Sequence, residues 1–203
     1  MPLKRARLYD VLALCLAIIA IACDQWTKSQ IVHTMTVGSE TPFPIFGQYL
    51  VLNYIRNSGA AFSMLSGGTG SIVLAVLISL AIIVICAIYA RMWNTGSLVY
   101  KLTFGLILGG AFGNLIDRVV HSGYVVDFVS FRIPEINYYF AVFNVADACI
   151  SVGVILLFLM VLFGGLRQQH VEKEQVETND EQHASHTTST LDTNKATTTE
   201  YHG

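Results

Sequence analysis

Apolar residues along this chain run in long unbroken stretches, where a soluble helix or strand would alternate them with polar positions. Four such stretches are centred on Val11 to Trp26, Ser71 to Ala90, Leu102 to Ile116 and Phe140 to Phe163. Each approaches the roughly 20 mostly apolar residues that carry a helix across the hydrocarbon core of a bilayer. The pattern predicts a membrane all-α fold of four transmembrane helices, with both termini on one side. Lys4, Arg5 and Arg7 precede the first span, Arg91 and Lys101 bracket the second connection, and Arg167 follows the fourth. Basic residues favour the cytoplasmic side, so both termini are expected there and the other two connections face the periplasm.

Those outward connections, residues 29–70 and 119–139, carry a different pattern. The first is too long for a structureless loop in a compact protein and contains the alternating run YLVLNYIRN at 49–57. The second contains a similar run, YVVDFVSFRI, at 124–133. Alternation of this kind predicts a small periplasmic β-sheet, a cradle over the outer end of the bundle, in which the second run either joins the first or lies beside it. After Leu166 large apolar residues almost disappear, and residues 167–203 read as a disordered, polar cytoplasmic tail on a domain spanning 1–166.

Composition agrees: 53% of the 203 residues are hydrophobic and 13% are charged, against about 25% charged in soluble domains. A net charge of -2 gives no reason to expect a nucleic-acid partner. Cys15, Cys23, Cys86 and Cys149 all sit in apolar runs with no CxxC spacing, and the six histidines form no HExxH-like pattern. No metal or cofactor is therefore expected. The KRAR start and AIAC at 20–23 also resemble a lipoprotein signal peptide with Cys23 as the lipidated residue. Three further spans and the polar DQWTK that follows disfavour that reading.

Ionisable groups inside spans are costly and mark candidate sites. Asp24 and Lys28 are four residues apart, spaced either for an ion pair that anchors a helix end or for a place in a site. Gly105, Gly109 and Gly113 form a small-residue stripe for close helix packing. Gly110, Asn114 and Arg118 lie on the neighbouring stripe, pointing an amide and a guanidinium toward the outer mouth. Asp117, about 100° around the helix, is placed to orient Arg118 or to cap a partner. In the fourth span Asn144, Asp147 and Ser151 share a face, with Asp147 about two turns inside the helix. Asp127, in the β-prone segment, can return over the mouth.

Two carboxyls held together in a partly dry site share one proton, so that one serves as base and the other as acid. Such a pair can hydrolyse a peptide through an activated water. No serine is part of a recognisable nucleophile–base pair. The same carboxylates would also suit a small ion or proton transporter, and the glycine stripe a non-catalytic membrane scaffold.

Five blocks then occur in order: DQWTK at 24–28, NSGAAF at 57–62, GGAFGNLIDR at 109–118, VVDF at 125–128 and FNVADACI at 143–150. In these blocks the chain resembles the lipoprotein signal peptidases, also called signal peptidase II. The resemblance implies a bacterial inner-membrane aspartic endopeptidase that cuts diacylglyceryl-modified prolipoproteins before the lipid-bearing cysteine. It further implies four transmembrane helices with an outward sheet that cradles the substrate; contact with membrane lipid and a monomer are expected. Asp127 and Asp147 match the family's catalytic pair; Asn57, Asn114, Arg118 and Asn144 fall on motif positions lining its site, and Asp24 and Lys28 match the first block.

Overall fold

The computed structural model describes residues 3–38, 43–59 and 68–163. The expected tail and residues 60–62 of the NSGAAF block lie outside them. Helices α1 (Leu3–Thr34), α2 (Gly68–Arg91), α3 (Leu98–Val120) and α4 (Val145–Phe163) are each long and apolar enough to cross a membrane. Met1–Leu157 forms one compact unit that holds every element of the site described below. The second unit begins at Phe158, and its described part is the rest of α4.

Leu14 and Ile18 of α1, Val76 and Ile83 of α2 and Ile155 of α4 are more than half exposed. Facing lipid, such side chains cost nothing, and helix association then depends on close packing. The glycine stripe supplies it: α3 packs along α1 and against α2. A methyl group on Gly105 would stand 2.5 Å from the Ala13 carbonyl oxygen, and one on Gly109 would stand 2.8 Å from that of Ala17. At Gly113 it would stand 2.7 Å from a carboxylate oxygen of Asp24, and at Gly110 it would collide with the Ala146 carbonyl of α4. Small residues thus let α3 touch α1 on one stripe and α4 on the other.

The two β-prone runs do pair. Strands β1 (Phe43–Phe46), β2 (Leu50–Asn57), β3 (Val125–Ile133) and β4 (Tyr138–Tyr139) form an antiparallel sheet in that order. In the β2–β3 ladder Ile55 lies opposite Asp127 and Asn57 opposite Val125, after an irregularity between Leu52 and Ile55. Tyr54, Val126 and Phe128 of the sheet pack on Ile31 of α1. Three backbone bonds tie β3 to Phe143, two residues before α4: Phe128 N and Val129 N donate to Phe143 O at 3.1 and 2.8 Å, and Phe143 N returns to Val129 O at 3.0 Å.

Helix limits differ from the hydropathy reading at three places, each for a local reason. α1 continues to Thr34, since its last turns are covered by the sheet. Asp24 and Lys28 therefore lie inside a helix. α4 begins at Val145, because residues 140–143 are extended along β3. Asp147 consequently sits in the first turn of α4 rather than two turns in. Lys101 belongs to α3 and is fully buried against Asp10, so it is no loop charge.

Candidate active site

At the sheet-covered end of the bundle a cavity of about 560 Å3 is lined by Asn57, Asn114, Arg118, Asp127 and Asp147, with residues 140–143 and Ala148, Ile150 and Val152 forming its apolar side. Four elements contribute these groups. β2 brings Asn57 and β3 brings Asp127, while α3 presents Asn114 and Arg118 one turn apart. The start of α4 brings Asn144 and Asp147, and the Phe143 bridge to Val129 sets them beside β3.

Three asparagine amides hold the two carboxyls. Asn57 Nδ2 donates to Asp127 Oδ2 at 2.9 Å and Asn144 Nδ2 to Asp127 Oδ1 at 2.7 Å. Asn114 Nδ2 donates to Asp147 Oδ1 at 2.7 Å. An amide can present either its oxygen or its nitrogen, so the direction of these bonds needs a cause. At each asparagine a donor that cannot act as an acceptor occupies the oxygen. Gly59 N bonds Asn57 Oδ1 at 3.0 Å, Asp147 N bonds Asn144 Oδ1 at 2.8 Å, and Lys28 Nζ bonds Asn114 Oδ1 at 3.1 Å. All three NH2 groups are thereby turned to the acids.

Asn144 is also the N-cap of α4. Its side chain takes the Asp147 N–H, and Asp147 Oδ2 accepts the Asn144 N–H at 3.3 Å. This is the reciprocal bonding of a capping box. It explains how a carboxyl can stand in the first turn of an otherwise apolar helix. The positive end of the helix dipole adds to the stabilisation of negative charge there.

A buried ion cluster supports this layer. Lys28 Nζ lies 2.7 Å from Asp24 Oδ2 and 3.1 Å from Asp117 Oδ2. Asp24, Lys28 and Asp117 are each at most 2% exposed. Gln25 donates to Asp24, to the Gly113 carbonyl and to Asp117 at 3.2, 3.1 and 2.9 Å. The acids also fix backbone: Ala146 N of α4 donates to the second oxygen of Asp24, Oδ1, and Val126 N of β3 to the same Asp117 Oδ2 that faces the lysine, both at 2.9 Å. The elements that carry Asp147 and Asp127 are thus pinned to one lysine. Asp24 and Lys28 form a site support rather than a helix-end anchor. Asp117 caps a strand and makes no hydrogen bond to Arg118 among the described residues.

Arg118 donates to the Gly59 carbonyl at 3.1 Å and the Asn114 carbonyl at 3.3 Å. Its Nε is buried with no partner among the described residues, which leaves a charged donor on the cavity wall. Asp127 is 2% exposed. Burial first, and then the negative charge of Asp147, push its carboxyl up to about 7, against the opposing pull of the Asn57 and Asn144 amides and of Lys28. A buried acid titrating near neutrality beside a second carboxyl is poised to hold a single proton between them. Gln25 is the site residue that sequence reasoning missed; its place beside Asp24 in DQWTK was the available signal. Gly110 contributes by its size, admitting Ala146 and hence the start of α4.

Four lipid-facing helices with a polar, carboxyl-bearing cavity under a sheet define an integral membrane enzyme. The structure aligns with a solved bacterial membrane enzyme determined by the in meso method at 2.3 Å resolution, with a TM-score of 0.60 and 32% identity over 74% of this chain and 87% of that one. The chain belongs to the signal peptidase II family, whose family model matches residues 16–163. It is 39% identical over 158 residues to the lipoprotein signal peptidase of Caldanaerobacter subterraneus subsp. tengcongensis, covering 77% of this chain and 100% of that protein. To the lipoprotein signal peptidase of Bacillus subtilis it is 38% identical over 147 residues, covering 72% and 90%.

Proposed function

We propose that Asp127 and Asp147 are the catalytic pair of an aspartic endopeptidase. As a signal peptidase II, the protein is a multi-pass membrane peptidase that removes the signal peptide from prolipoproteins. Family membership decides for cleavage over ion or proton conduction. The observation that carries the catalytic assignment is the shared asparagine layer: Asn144 binds both acids, through its amide and its backbone.

In the proposed mechanism Asp127 holds the proton at neutral pH and Asp147 is the base. Asp147 takes a proton from a water lying between the carboxyls as the water oxygen bonds to the scissile carbonyl carbon, and Asp127 gives its proton to the carbonyl oxygen. The resulting gem-diol collapses when Asp147 passes its new proton to the leaving nitrogen and Asp127 recovers one from a diol hydroxyl. The C–N bond breaks, both acids return to their starting state, and no covalent intermediate forms. The Nε of Arg118, unpartnered among the described residues, and the Asn57 amide are suited to hold substrate carbonyls or lipid ester oxygens.

The apolar side of the cavity, Phe140 to Phe143 and Ile150 to Val152, suits a signal helix that enters laterally with its diacylglyceryl chains left in the bilayer. Cleavage falls before the lipidated cysteine. The site faces the periplasm, both termini are cytoplasmic, and the enzyme works as a monomer. The test is cleavage of a diacylglyceryl-modified prolipoprotein by purified Asp127→Asn and Asp147→Asn variants. Each should bind substrate and keep its fold while losing turnover by roughly 10²- to 10⁴-fold. Substantial cleavage by either variant removes that residue from the pair.

A further inference from the structure

The opposite end of the bundle holds a second polar cluster that peptide cleavage does not use. α1 and α3 run parallel, Ala13 meeting Gly105 and Asp24 meeting Gly113. Asp10 precedes Asp24 by 14 residues, so it lies about 21 Å further along α1. Lys4, Arg5, Arg7 and Arg91 gather at this end, as expected of a helix end at headgroup depth.

A cleft of about 370 Å3 opens there between α1 and the turn that follows α2, lined by Arg7, Asp10, Val11, Leu14, Trp93 and Asn94. Asp10 is its internally satisfied back wall. Oδ1 pairs with the buried Lys101 ammonium and accepts the Tyr89 hydroxyl at 3.0 Å, and Oδ2 accepts Asn94 N at 3.0 Å. That last bond holds Asn94 in a left-handed conformation, φ 58°, while Trp93 packs edge-on against Tyr89 with ring centroids 6.1 Å apart. The turn is therefore built rather than loose.

Two polar groups lining the cleft lack a partner among the described residues. Since Asp10 is neutralised by Lys101, Arg7 has no carboxylate partner among the described residues. Asn94 Oδ1 is buried with no donor among them. Beside these groups the wall turns apolar, for Val11, Leu14 and Trp93 are each more than half exposed, and α1 carries Val11 and Leu14 inward from Arg7. A cation at headgroup depth, an empty acceptor beside it, an indole and an aliphatic strip leading into the bilayer match one chemistry. Guanidinium groups bind phosphates with two parallel donors, tryptophan favours the interface, and basic pockets between spans bind anionic headgroups.

We propose that this cleft binds an anionic phospholipid of the adjacent leaflet, with its phosphate on Arg7, a headgroup hydroxyl donating to Asn94 Oδ1, and an acyl chain along Val11 and Leu14. The site is separate from the aspartates and independent of how they act.

The chain has two tryptophans, so Trp26→Phe leaves Trp93 as a reporter inside the cleft. The full-length variant is placed in phosphatidylcholine vesicles containing phosphatidylglycerol brominated high on its acyl chains, or phosphatidylcholine brominated identically. Trp93 quenching should half-saturate at a roughly fivefold lower fraction of the anionic lipid, the effect of one cation near a charged surface. Arg7→Gln should abolish that preference, and Lys4→Gln with Arg5→Gln should leave most of it. Millimolar inorganic phosphate should leave it unchanged. Equal quenching by the two lipids, a preference surviving Arg7→Gln, or one lost equally in both charge variants would overturn the site. Displacement by phosphate would overturn the assignment to a lipid.

Discussion

Each carboxyl of the proposed pair is addressed by an amide whose orientation is set from behind, so the site depends on groups that never meet substrate. Asn114 is the clearest case, with Lys28 on its oxygen and Asp147 on its nitrogen. Asn114→Asp keeps the shape but turns a donor into a third negative charge beside Asp147. Turnover should fall by roughly 10²-fold or more with little change in substrate binding, read as a kcat effect at unchanged KM. pH gives a second prediction. Above about 7 Asp127 loses its proton, the general acid disappears and two charges face each other. The rate should therefore fall on the alkaline side of neutrality. The Asn57 amide lowers that titration, so Asn57→Ala should move the alkaline limb of the pH–rate profile upward; a downward shift would contradict the assignment. At this scale the two acids were legible in the sequence, because a carboxyl in or beside an apolar span needs a reason to be there. The depth of Lys28 was not, since spacing alone cannot distinguish an exposed i,i+4 pair from one that two further carboxyl and amide partners enclose.

Elements were legible in kind and less so in extent. Hydropathy found the four helices, and alternation found β2 and β3 but left open whether they pair, which the ladder between them decides. The end of α1 and the start of α4 were misplaced because tertiary contact decides them: the sheet covers α1 as far as Thr34, and the ladder to Val129 keeps residues 140–143 extended. That shift moves Asp147 into a capping box, so that the proposed base also has a structural part at the start of α4. The glycine stripe was read correctly from its period of four. Gly109→Leu places a side chain where even a methyl group meets Ala17 and Ala20 at 2.8 Å. Because backbone lies opposite, the helices must separate, and the cost should reach or exceed the roughly 1–3 kcal/mol of an overpacked core. Thermal unfolding in detergent should show a lowered Tm and activity lost in parallel; an unchanged Tm would mean that the α1–α3 approach is not what holds the bundle.

Across the whole molecule, one lysine, three acids or amides around it and two backbone N–H groups connect the helices to the sheet, so that folding and assembly of the site are one event. The family match ends at residue 163, with the last described turn of α4. Truncation after Gln168 should therefore leave cleavage of lipidated substrate intact, and a large loss would give the remaining residues a part in catalysis. The cytoplasmic reading of both termini rests on Lys4, Arg5, Arg7, Arg91 and Arg167 now that Lys101 proves buried. The central claim is that Asp127 and Asp147 act as one unit. Turnover of a diacylglyceryl prolipoprotein by Asp127→Asn, Asp147→Asn and the double variant, each verified as folded and substrate-binding, tests it most directly. Groups that act together are strongly non-additive, so the double variant should be no slower than the worse single one; losses that multiply would show two independent carboxyls and contradict a shared proton.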